Sequence, residues 1–429
     1  MSILRTMYTG VSGLNAEGDA LGVVGDNIAN SNTVGFKGQR AIFEDMLGRS
    51  MSETGAGAGV RMSEIQQMFN QGALTNTGVS TDMSISGDGF FVVSGSVNGT
   101  KGNFYSRAGQ FSIDAKGSVV NPAGLALQGY PANKDGSFSP NVAGVSVPTS
   151  SLAPSPSTKM SVVANLDASA VPPAAPWNVA SPTSTSNFST AMTVSDSLGK
   201  SHNVSLYFEK TATAGQWNYH AVVDGGDLTG GVAGTNVEIG SGSMQFGTNG
   251  SLTSVTTATP IAANFVNAAP AQAISLNFGS STGAGGSGTD GMTQYAAPSS
   301  VASQTADGYA AGDLVGVNID GQGIVRGNYS NGQKIALAQI ALAKFNSNEG
   351  LARAGQDLWT ETQNSGSAAL GGAGVGGRGS VTAGTLEQSN VDIATQFVDL
   401  IAHQRAFQAD SKTITTADEM MQDLVNLKH

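Results

Sequence analysis

The chain has no cysteine in its 429 residues. Disulfides and thiolate metal sites are therefore excluded, although this absence does not fix a compartment. Charge is also scarce: Lys, Arg, Asp and Glu make up 12% of the sequence and aromatic residues 6%. With 20 basic against 31 acidic residues, the net charge is -11. A nucleic-acid partner would need a basic stripe, so that class is disfavoured, and the acidic balance instead keeps unassembled subunits soluble. No apolar run approaches the length of a transmembrane helix. The opening residues lack a basic region followed by a continuous apolar run, so no secretory signal peptide is expected.

Catalytic patterns are missing too. The histidines, His202, His220, His403 and His429, have no helix-borne metal spacing. No Gly-x-Ser-x-Gly elbow precedes a helix, and no carboxylate pair stands out. Residues 372–377 have dinucleotide-fingerprint spacing but lack the strand before and the helix after that would aim amides at a pyrophosphate. They read as a flexible loop. Asp196 reads as a turn residue capping amides. No enzyme activity, cofactor, metal or small-molecule substrate is expected.

What the sequence does contain is a pair of apolar seams, one at each end. Leu4, Met7, Val11, Leu14, Gly18, Leu21, Gly25 and Ile28 step by three and four. Ile393, Leu400, Phe407, Ile414 and Met421 recur every seventh residue, with Phe397 between the first two. Such stripes face a partner helix and cannot be buried by their own helix. The N-terminal helix, residues 2–30, carries five glycines, each weakening it by about 1 kcal/mol relative to Ala, so it should be loose until packed. The C-terminal helix is expected over 391–427, about 55 Å long, capped by Ser389 or Asn390, with polar seam positions at Gln404, Ser411 and Asp418. These twelve large apolar residues are the candidate assembly interface.

Between the ends, 58 glycines with many Ser, Thr and Asn residues suit short strands and turns. Strands are expected at 192–194, 204–208, 217–223, 274–278, 314–319, 324–329 and 335–345, with shorter ones through 83–127. Gly-rich segments at 55–59 and 279–291 read as flexible, and the 366–384 run as the linker to the C-terminal helix. The expected fold is mainly β with α-helical termini: nested discontinuous β-domains plus a paired, coiled-coil-like terminal domain. In that division, 1–75 pairs with 366–429, 76–148 joins 301–365 as a middle β-domain, and 149–300 is an inserted outer β-domain.

Particular residues carry a family resemblance. Asn27, Asn30, Thr33, Gly35, Phe36 and Lys37 are similar to the Asn-x-x-Asn-x-x-Thr-x-Gly-aromatic-Lys signature of the bacterial flagellar axial rod, hook and junction proteins. Ser389, Asn390, Asp392, Gln404 and Arg405 resemble the same family's C-terminal helix. The middle, through residues 194–199, Trp217, 307–309, 329–333 and 341–345, resembles the hook members. The resemblance implies a subunit exported by the flagellar type III apparatus without signal cleavage. It implies self-polymerisation under a hook cap into a curved tube, a universal joint between rod and filament, touching rod and hook–filament junction proteins. The location implied is extracellular, at the hook and basal body. Three other readings are a distal rod protein, disfavoured by the large insertion, a secreted β-rich adhesin, which leaves the terminal seams unexplained, and a secreted hydrolase, whose activity no residue cluster predicts.

Overall fold

The computed structural model describes residues 2–47, 57–133 and 135–426. Two long helices bracket the chain: α1, Ser2–Ala29, and α2, Ile393–Asn426. Among the described residues between them there are only strands, turns, irregular stretches and short 3-10 segments, so the architecture is mainly β with helical termini. Gly55 and Ala56, in the expected flexible stretch, lie outside the described residues, as do Leu427 and His429. No helix among the described residues is long and apolar enough to cross a membrane.

The chain divides into two compact units. The first holds 1–149, 315–328 and 334–429, and the second 150–314 and 329–333. The terminal helices and the strands expected in a middle domain thus lie together in the first. The segment expected as an outer module lies within the second, which runs on to 314.

In the first unit, α1 is followed by an antiparallel ribbon of β1, Gln39–Leu47, and β2, Gly57–Gln67. This ribbon was not foreseen, and it includes the end of the stretch read as flexible. It lies along α1, where the Ser12 hydroxyl accepts from the Val60 amide at 3.2 Å. Two short strands then tie the incoming chain to the outgoing chain. β3, Leu74–Asn76, pairs with Thr385–Glu387, and β4, Met83–Ser86, pairs with Ser380–Ala383. The larger sheet follows, with Phe90–Val97 central between Thr100–Ser106 and Ala126–Pro131. Its core collects Phe90, Tyr105, Phe345 and Trp359, with Phe69 edge-on to Phe90. The Gly-rich run before α2 is not a bare linker: Ala369–Gly371 pairs with Leu342–Lys344.

The second unit is built from two sheets. One is a five-stranded antiparallel meander from Phe188–Ser195 to Leu252–Thr259. In its strand Ser201–Lys210, buried residues alternate with less buried ones, the period-two signature of a half-covered strand. The other sheet contains Lys159–Asn165, held parallel to Gln272–Asn277 and antiparallel to Ser300–Ala306. Val204, Leu206, Phe208, Trp217, Tyr219 and Phe278 are fully or almost fully buried in the core. The 279–291 tract, read as flexible, is a structured loop: Asp290 accepts from the Ser280 amide and hydroxyl at 2.9 and 2.8 Å.

Candidate assembly interface

Antiparallel packing of α1 on α2 depends on small residues. Gly10, Gly13, Ala16 and Ala20 are buried on α1, followed by Val23, Val24 and Asn27. A Cβ on Gly10 would fall 2.9 Å from Ile414 Cγ1, and one on Gly13 2.4 Å from Asp410 Oδ2. These glycines let the two backbones approach closely. His403 Nδ1 lies 2.6 Å from Glu17 Oε2, and Asn27 donates to Gln396 Oε1 at 2.8 Å, fixing the other end of the pair.

The expected α1 stripe is therefore not the intramolecular contact. Leu4 and Val11 are exposed, while Met7, Leu14, Leu21 and Ile28 are half-buried beside the small-residue stripe. Gly18 is near Phe407, and Gly22 and Gly25 meet nothing within 4 Å. On α2, Leu400, Phe407, Ile414 and Met421 are half-buried and share a stripe with Gln396, His403, Asp410 and Ala417. The intervening positions are thus three residues after each heptad position, not Gln404, Ser411 and Asp418. A seven-residue repeat alone does not distinguish a step of three then four from four then three. Gln404 and Arg405 are exposed, as are Ile393 and Phe397.

Large apolar side chains consequently remain uncovered. Tyr8 is 73% exposed, Phe397 50% and Val398 66%, alongside Leu4, Val11, Ile393 and Ile401. Phe43 and Ile65 on the ribbon are exposed as well.

The motif residues form a buried polar knot inside the first unit. Asn27 Nδ2 donates to the Gln39 carbonyl at 2.7 Å, and its Oδ1 accepts from the Gln39 amide at 2.8 Å. Asn30 donates to Asp26, and the Thr33 hydroxyl donates to Asn30 Oδ1. Gly35 takes φ +74°, where a Cβ would stand 2.4 Å from the Ala108 nitrogen, so only glycine fits. Its amide donates to the Glu387 carbonyl at 2.8 Å. Phe36 is buried beneath the Arg353 guanidinium, 5.7 Å from its ring centre.

Lys37 ends the motif and is the centre of the knot. Its Nζ donates to Glu387 Oε1 at 2.5 Å and to the Asn70 carbonyl at 2.9 Å. Arg107 reaches Glu387 Oε2 at 3.3 Å and the Gly87 carbonyl at 2.8 Å. Burial pulls both the Lys37 and Arg107 pKa values down, and the Glu387 charge opposes that. Sequence reasoning did not pair Glu387 with Lys37 and did not single out Arg107, because nothing local marks a partner hundreds of residues away.

Asn390 is not the helix cap. It accepts from the Gly38 amide at 2.8 Å and donates to the Met68 and Asn70 carbonyls at 2.7 and 3.0 Å. Ser389 bonds only locally, to the Val391 amide. Asp392 is the cap, accepting from the Thr395 amide at 2.8 Å, which holds its carboxyl below the ordinary range.

In the second unit Asp196 accepts from the Leu198 and Lys200 amides, both at 2.9 Å. Burial opposes ionisation there, but those bonds and His202 together keep the carboxyl low. Among the described residues no group of three His, Cys, Asp or Glu side chains is placed to hold a metal.

Comparison with known proteins agrees along the length of the chain. Residues 7–37 match the family described as flagella basal body rod protein, and 382–427 the flagellar basal body rod FlgEFG protein C-terminal family. Residues 84–165 match the flagellar hook protein FlgE/F/G D1 domain, and 165–309 the flagellar basal body protein FlaE D2 domain. The flagellar hook protein FlgE of Escherichia coli is 39% identical over 425 residues, covering 97% of this chain and 98% of the relative. That of Borreliella burgdorferi is 34% identical over 455 residues, covering all of both. The crystal structure of Helicobacter pylori flagellar hook protein FlgE2 shares the fold, with a TM-score of 0.53 at 14% identity, over 73% of this chain and all of that one. The chain belongs to the flagellar hook protein FlgE family.

Proposed function

We propose that this chain is the structural subunit that polymerises into the flagellar hook, a curved tube transmitting torque from rod to filament. The observation that carries the reading is the uncovered apolar surface of the helix pair. Leu4, Tyr8, Val11, Ile393, Phe397, Val398 and Ile401 stay exposed although the two helices already pack on each other. Leaving a Phe or Ile in water forgoes about 1.5–3 kcal/mol of burial, so the surface suits a neighbouring copy. Contacts between different faces of successive copies do not close and generate a filament.

In this reading the helix pair forms the inner layer and the β-units stand at larger radius. Polar, Gly-rich outer surfaces slide as the tube bends, while the helices hold subunits together. The subunit leaves the cell through the flagellar type III apparatus and adds beneath the hook cap. At its ends the tube meets rod and hook–filament junction proteins. Its role is mechanical rather than catalytic.

The test is assembly of the full-length chain, driven by a neutral crowding polymer and imaged by negative-stain electron microscopy. Curved tubes support the hook reading, and straight stiff ones favour a rod protein. Phe397→Asp should abolish tubes while leaving the thermal unfolding of the subunit unchanged. Tubes from that variant at normal yield would remove the exposed helical stripe as the interface.

A further inference from the structure

A cavity of about 330 Å³ opens in the first unit beneath the loop that follows α1. Its walls are apolar at Val34, Ala108, Pro122 and Ala123 and polar at Thr33, Ser106, Gln110 and Asn121, and Gln356 and Asp357 close one side. These last two are the central residues of the two-residue turn between Ala352–Gly355 and Leu358–Thr360. Both are left-handed, with φ of 58° and 55°. A turn of this kind ordinarily takes Asn-Gly, because positive φ strains residues that carry a Cβ. Gln and Asp here sacrifice turn stability, which indicates a use for their side chains.

Asp357 is half-buried, and its carboxylate makes no hydrogen bond or ion pair among the described residues. Burial pushes its carboxyl up, Arg353 pulls it down and Asp26 raises it again. Arg353 is already engaged: it pairs with Asp26 at 3.3 Å and lies over Phe36. The same unit presents Lys101, Lys116 and Lys334, which are exposed and carry no ion pair among the described residues.

We propose that the cavity beside Asp357 is a socket for a lysine or arginine side chain of a second copy of this chain, whose ammonium or guanidinium pairs with the Asp357 carboxylate. The inference rests on the polymer reading and adds a polar, register-fixing contact between β-units to the apolar contact of the helices. Apolar walls take the aliphatic stem of a long basic side chain, and the carboxylate meets its head.

The test compares two full-length proteins: wild type and Asp357→Asn. Asparagine tolerates left-handed geometry, so Asp357→Asn removes the charge and keeps the turn. For each, the critical concentration for tube formation is measured at low ionic strength, beside the thermal midpoint of the unassembled subunit. Asp357→Asn should raise the critical concentration at least tenfold with an unchanged or higher midpoint, and added sodium chloride should narrow the gap. Equal critical concentrations for wild type and Asp357→Asn, or a fall in midpoint that accounts for lost assembly, would overturn the socket alone. A wild type that forms no tubes would instead remove the polymer reading and the socket with it.

Discussion

Lys37 and Glu387 stand 350 positions apart in the chain, and their charged groups meet at 2.5 Å with both side chains fully buried. The pair joins the segment leaving α1 to the segment entering α2. Arg107 adds a second cation to the same carboxylate, so one buried anion answers two buried cations. Loss of that anion is far costlier than loss of one cation, because an unpaired charge stays in a dry site. Glu387→Gln should lower the unfolding free energy of the subunit by about 3–5 kcal/mol, measured by urea denaturation. Lys37→Met should cost distinctly less, since Arg107 and Glu387 remain paired. Equal costs would show that the carboxylate does not dominate the knot.

Glycine has opposite roles at different positions of the same segment. Gly35 has positive φ and a backbone neighbour where a Cβ would go, so Gly35→Ala should destabilise the subunit by more than about 1 kcal/mol. Gly22 and Gly25 are helical, with no atom within 4 Å of where a Cβ would stand, so Ala at each should stabilise the unassembled α1 by up to about 1 kcal/mol. Circular dichroism during urea titration separates the two behaviours. If the Gly22→Ala and Gly25→Ala subunits are stabler yet assemble poorly, those glycines serve a neighbouring copy.

The helix pair carries its own pH dependence. Burial, and after it the Glu17 carboxylate on α1, raise the Asp410 carboxyl above its ordinary 3.8. A raised folded-state value favours the protonated form in the packed helices. That contribution is fully present below the ordinary value and is lost as pH rises through the raised one. Asp410→Asn should therefore make the packed helices stabler at pH 7 and weaken this loss. Helical ellipticity followed from acid to neutral pH in both proteins reads the difference. Asp392, held low by the Thr395 amide, works in the opposite sense: its contribution is present above the ordinary value and fades as pH falls through the lowered one.

The Asn27 amide makes three hydrogen bonds within the fold, to both backbone groups of Gln39 and to Gln396. Asn27→Leu would strand those buried partners, at about 1–3 kcal/mol for each group left without a bond. The same variant should loosen α2 against α1, because the Asn27–Gln396 bond links the two helices. Faster amide exchange at residues 396–403, with the second unit unaffected, is the expected result. Uniform exchange across the chain would instead point to global destabilisation.

Local sequence was sufficient for much of this protein. The seven-residue apolar spacing at each end required two long helices. The bounds of the strands Leu314–Ile319 and Ile324–Tyr329 could be read to the residue, because apolar, β-branched runs flank the turn signal Asp320-Gly321. The Asn27–Lys37 motif and the 389–392 segment marked the family. What local sequence could not supply was which face of each helix meets the other. A 3.6-residue helix with apolar residues on a wide arc offers two adjacent stripes, and only the packing selected the small one, Gly10, Gly13, Ala16 and Ala20. The β1–β2 ribbon escaped notice because its strands mix charged and apolar residues, with pairing set across a long connection. The Lys37–Glu387–Arg107 knot and the cavity beside Asp357 are likewise tertiary facts. Buried ion pairs and cavities arise where distant segments converge, and nothing in the spacing of either segment encodes that meeting.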